Sequence, residues 1–230
     1  LSFRYQEQKT EIETIGLLSF EGFREVEALG LLSKGTVTVG SMSGEKRRYG
    51  MPKKFTEIMM LSPDLFFAYV ASIRYGYKDQ QGNLHFQDEE NFTVHDYSFS
   101  SIEEVVENNC AWCWEIAELT KQYCIRNSIP YHAWFMEYKS EELHQTHTQV
   151  FMLYQEKWCP TPDNSLGIKL GEHGFSDLNK SVQWFKGFFT DYLKAVLKDK
   201  YDEKKLLLKE YICEFPKGIT DNEYLNRIRQ

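Results

Sequence analysis

No stretch of the 230 residues approaches the run of about 20 apolar residues that a membrane-spanning helix needs. Positive charge is not in excess either, since 27 Lys and Arg stand against 34 Asp and Glu for a formal net charge of −7. That balance lacks the electrostatic footprint of a nucleic-acid-binding protein and offers nothing to anionic membranes or phosphates. The first residues, from Leu1 to Lys9, are too polar for the core of a signal peptide. Cysteine is sparse and unpatterned: five residues, an odd number without framework spacing, fit a reducing compartment better than a disulfide scaffold. Internal repeats and low-complexity tracts are missing too. These absences lead to the expectation of a cytoplasmic protein with no nucleic-acid or membrane partner.

What is present is enough apolar material, 42% of the chain, to bury a sizeable core. Residues 1–50 read as an arm or small subdomain. Phe20 to Leu32 has near-helical apolar spacing weakened by Gly22 and Gly30, Thr36 to Val39 is a short strand, and Gly40 to Gly50 is a connector. The main domain follows over 51–230. Its apolar pattern to Tyr77 gives one short and one longer helix, the second started by Ser62-Pro63. Gly82-Asn83 marks a turn, Gln87 to Asn91 an acidic loop, and Ser101 with Glu104 a capping box that opens another helix.

The next segment carries the chemistry. In Asn109-Cys110-Ala111-Trp112-Cys113-Trp114-Glu115 a cysteine stands where an apolar-periodic helix begins, with Ile116, Ala117, Thr120, Tyr123 and Cys124 on one side. A helix N-terminus and a nearby imidazolium both lower a thiol's pKa, and the free first-turn amides can receive an oxyanion. Cys113 is therefore the candidate nucleophile, with its own amide as oxyanion donor. Pro130 ends the helix, and Tyr131 to Tyr138, apolar on both faces, is a central strand. His147 heads the following strand to Tyr154, where a period of two groups it with Gln149, Phe151 and Leu153. A hairpin partner around Trp158 ends at Pro160 and Pro162, so Asp163 falls just past its exit, at the same end of the sheet as His147. After Asp163 comes a glycine-punctuated loop, a long helix over 176–198 and an ambiguous charged stretch. A strand near 211–216 and a short terminal helix complete the reading.

The order of cysteine-headed helix, aromatic strand, His-headed strand and Trp-containing strand ending in Asp resembles the transglutaminase-like superfamily over 63–171. Ile73-Arg74-Tyr75-Gly76-Tyr77, Ser101-Ile102-Glu103-Glu104, Cys113-Trp114-Glu115, Thr146-His147-Thr148 and Leu166-Gly167-Ile168 are similar to an uncharacterised bacterial branch of that group. The resemblance implies an α+β fold with a transglutaminase-like, papain-like core, its Cys helix packed on an antiparallel sheet with flanking helices. It also implies Cys113 as nucleophile, His147 as general base and Asp163 as the residue that orients the base. Where the family has a small glycine before the cysteine, this chain has Cys110-Ala111-Trp112. Trp112, Trp114 and Asn109 are the candidate substrate-pocket residues.

The expected activity is acyl transfer through a thioester on a peptide, protein or other amide-containing substrate, by hydrolysis or to an amine acceptor. No cofactor is expected. The alternative is a non-catalytic peptide- or partner-binding module on the same fold. Two other readings of the cysteines are weaker. A redox Cys110-x-x-Cys113 pair should follow a strand, yet a helical pattern precedes it. A zinc site from Cys110, Cys113, His144 and His147 has too short a histidine spacing.

Overall fold

The structure is a computed structural model and describes residues 36–40, 46–50, 54–89, 92–94, 97–162, 173–210 and 219–229. The expected helix over 20–32, Asp163, the Leu166-Gly167-Ile168 motif and the expected strand near 211–216 lie outside these residues. The fold is α+β, mixing helices with largely antiparallel sheets.

Strands β1 (Thr36–Gly40) and β2 (Lys46–Gly50) pair antiparallel. The expected connector 40–50 thus contains a strand. Helix α1 (Phe55–Ile58) is short, and α2 (Pro63–Ser72) starts at Ser62-Pro63 as the sequence predicts. The helical pattern was expected to run to Tyr77. Instead β3 (Arg74–Lys78) forms, and β4 (Leu84–Phe86) pairs with it across the Asp79 turn. Gly76 permits that pairing, because a Cβ there would lie 2.1 Å from the His85 carbonyl oxygen.

Helix α3 (Ile102–Asn108) carries the expected capping box: Ser101 accepts from the Glu104 amide, and Glu104 accepts from the Ser101 amide. The two-residue strand β5 (Cys110–Ala111) runs parallel to β3 and delivers the chain to α4 (Cys113–Arg126). The principal sheet follows, built from β6 (Tyr131–Lys139), β7 (His144–Tyr154), β8 (Lys157–Pro160) and β9 (Leu206–Glu210) in the order β8-β7-β6-β9. Helix α5 (Leu178–Leu197) precedes β9, and α6 (Asp221–Arg229) closes the described chain. No helix among the described residues is long and apolar enough to cross a membrane.

The sheet is covered on both faces, as the apolar β6 pattern requires. On one side Ala133, Phe135 and Val150 cluster with Cys113, Trp114 and Ala117 of α4 and with Tyr224, Leu225 and Ile228 of α6. On the other, Met136, Tyr138 and Phe151 cluster with Val182, Phe185, Phe189 and Leu193 of α5. Alternate residues of each strand therefore belong to different layers, and this decides where each candidate residue points.

Candidate functional site

Cys113 occupies the first helical position of α4, as expected. Its approach is fixed from several sides. Asn109 adopts a left-handed conformation (φ 47°) and donates its side-chain amide to the Ser72 carbonyl at 3.2 Å, while its own carbonyl accepts from Arg74. Asn109 thus ties the end of α3 to the end of α2. Trp112 precedes the helix and stands among tyrosines, stacked on Tyr75 at 6.0 Å, edge-on to Tyr77 at 5.4 Å and 4.9 Å from Tyr97. Trp114 is a core residue, 1% exposed, against Phe135 and Tyr224.

Glu115 was not singled out from the sequence as a functional residue, although its position three after Trp112 is a capping signal. Its carboxylate accepts the Trp112 amide at 2.7 Å and the Ser100 amide at 3.0 Å. Burial pushes its pKa up to about 7, with the two amide hydrogen bonds pulling the other way. The Trp112 amide is therefore occupied, and the amides available at the helix start belong to the first turn proper, beginning at Cys113. The neighbouring thiols are poor nucleophiles at neutral pH, because burial pushes both Cys110 and Cys124 up to about 12. The four cysteines among the described residues are free thiols.

His147 lies in β7, three residues after the strand starts at His144 and not at its head. The predicted grouping of alternate residues holds: the His147 ring meets Phe185 at 5.5 Å and Phe151 meets the same ring at 5.9 Å. That places His147 in the α5 layer, whereas Cys113, 3% exposed, is in the α4 layer. The described arrangement does not bring imidazole and sulfur together across β7.

The β7-β8 hairpin forms as expected, with Phe151 opposite Pro160. Beyond β8, Thr161 donates its amide to the Val150 carbonyl, and the Gln149 side-chain amide donates to the Thr161 carbonyl and hydroxyl oxygens. The chain is thus held beside Gln149 and Val150 up to Thr161, two residues before Asp163.

The other histidines of this sheet have structural partners. His144 bonds Glu137 at 2.7 Å, and His132 bonds Glu210. Among the described residues no group of three or more His, Cys, Asp or Glu side chains is gathered as a metal ion would require. Compared with protein-family models, curated proteins and solved structures, the chain matches none.

Proposed function

We propose that the chain is a cysteine-dependent acyl-transfer enzyme with a transglutaminase-like core, acting on an amide or related carbonyl bond with Cys113 as nucleophile. The observation that carries this reading is Cys113 at the first position of a 14-residue helix laid on the sheet whose β7-β8 hairpin bears His147. In the proposed reaction His147 takes the Cys113 proton and the thiolate adds to the carbonyl carbon. The imidazolium returns that proton to the leaving amine, and water or an acceptor amine then resolves the thioester. Asp163 orients the imidazole. As proposed, the reaction requires no metal or organic cofactor. Proton transfer by His147 is worth on the order of 10²–10⁴-fold.

The placement of His147 in the α5 layer sets a requirement on this reading. The start of β7, His144 to His147, has to part from Met136 to Lys139 of β6 and turn the imidazole toward α4. A second reading, a partner-binding module without catalysis, draws its support from the same separation and from the burial of the thiol.

Iodoacetamide labelling followed by peptide mapping distinguishes the two. The enzyme reading expects fast alkylation of Cys113 near pH 7, with a rate that drops at least tenfold in His147→Ala. A rate equal to that of a free cysteine, and indifferent to His147, would overturn the enzyme reading and favour the binding module.

A further inference from the structure

The α4 face of β7 carries a buried polar residue, Thr148. Thr148 is 2% exposed, and its hydroxyl is buried without a hydrogen-bond partner among the described residues. On the α4 side of β7 the residues alternate as Thr148, Val150 and Met152. Met152 clusters with Leu119, Tyr123 and Cys124, and Val150 with Cys113, Trp114 and Ala117. Strand and helix therefore advance in the same direction. Two strand residues cover about 6.6 Å and four helix residues about 6 Å. One further step back along β7 takes Thr148 to the N-terminal end of α4, where the first-turn amides point. Its cross-strand partner agrees, since Phe135 stands opposite Thr148 and lies 5.4 Å from Trp114.

We infer that the Thr148 hydroxyl and the first-turn amides of α4 together form the site for the acyl oxygen of a substrate bound covalently to Cys113. This assignment rests on the acyl-transfer reading and adds a side-chain donor to the Cys113 amide expected from the sequence. A buried hydroxyl with no acceptor costs free energy unless a ligand uses it. Here an acceptor arises in the reaction. As the Cys113 sulfur bonds to the carbonyl carbon, the carbonyl π pair moves onto oxygen, and the hydroxyl and amides donate to that oxyanion. The pair then returns to re-form the carbonyl, and the leaving group departs with the electrons of the broken bond.

The probe is p-nitrophenyl acetate, whose leaving group departs as nitrophenolate without needing a proton, followed by the nitrophenolate burst. Iodoacetamide serves as the control, because alkylation at its CH₂ generates no oxyanion. Thr148→Val is expected to acylate about 10²-fold more slowly, to keep its Cys113 alkylation rate and to unfold at no lower urea concentration, since valine removes an unsatisfied hydroxyl. Thr148→Ser restores the burst. A Thr148→Val burst as fast as that of the unsubstituted protein overturns the assignment, and so does a parallel loss of burst and alkylation. Failure of Cys113 in the unsubstituted protein to react with either reagent overturns the acyl-transfer reading itself and this assignment with it.

Discussion

Glu115 sets the first turn of α4 through two backbone hydrogen bonds, at the cost of keeping a carboxylate 3% exposed. Its pKa in the folded chain is raised from the ordinary 4.5 to about 7, so between these values the folded protein retains a proton that the unfolded chain has released. Its contribution to stability is therefore complete below pH 4.5 and is lost as pH rises toward 7, by on the order of 3 kcal/mol at most. Urea unfolding of the unsubstituted protein and Glu115→Gln at pH 5 and pH 8 checks this: the difference between them should shift in favour of the variant at pH 8. At this scale the sequence discloses residue types and spacing well. Cys113 at a helix start and the shared face of His147 and Phe151 both follow from local periodicity. Periodicity cannot say which helix covers which face of β7, because that depends on the return of α5 from far along the chain. For that reason the sequence alone does not show that β7 turns His147 toward α5 and Thr148 toward α4.

Among the elements, β3 shows how tertiary pairing overrides local pattern. Ile73, Tyr75 and Tyr77 extend an apolar series from α2, but Gly76 lets β4 approach closely enough to pair. Gly76→Ala would put its methyl 2.1 Å from the His85 carbonyl oxygen, where only backbone movement relieves the clash. We predict a loss of about 3 kcal/mol, the upper end of overpacking costs, in equilibrium unfolding. Gly174→Ala should cost less, because its nearest neighbours are side-chain atoms, the Cys159 sulfur at 2.9 Å and Lys157 Cβ at 3.1 Å, and none lies as close as 2.1 Å. Elements with strong local signals were legible: the Ser101 capping box, the α4 stripe, the β7-β8 hairpin and α5. Strands without such signals were not. β5 exists only through its pairing with β3, β2 is a basic Lys-Arg-Arg segment, and β9 lies in a stretch whose charges mask its apolar positions.

At the scale of the whole molecule, the principal sheet is the shared wall between two helical layers, and α6 completes the layer that holds Cys113. The docking of α6 is both apolar, through Tyr224, Leu225 and Ile228, and ionic, through Arg229, which donates to both carboxylate oxygens of Glu137. Burial acts to raise the Glu137 pKa, but hydrogen bonds from Arg229 and His144 outweigh it and leave the value below the ordinary 4.5. The contribution of this pair is thus present above pH 4.5 and fades as pH falls further. Arg229→Met should destabilise the protein by about 2 kcal/mol at pH 7, less than a fully buried pair because Arg229 is partly exposed, and by less at pH 4.

The central claim, acyl transfer at Cys113, is tested most directly by the mass of the protein after brief incubation with p-nitrophenyl acetate at neutral pH, with the modified peptide then mapped. The account predicts a single hydroxylamine-labile acetyl group on the peptide containing Cys113, formed and discharged over time and lost in Cys113→Ala and His147→Ala. An unmodified Cys113, with acetyl groups only on lysines, would contradict it.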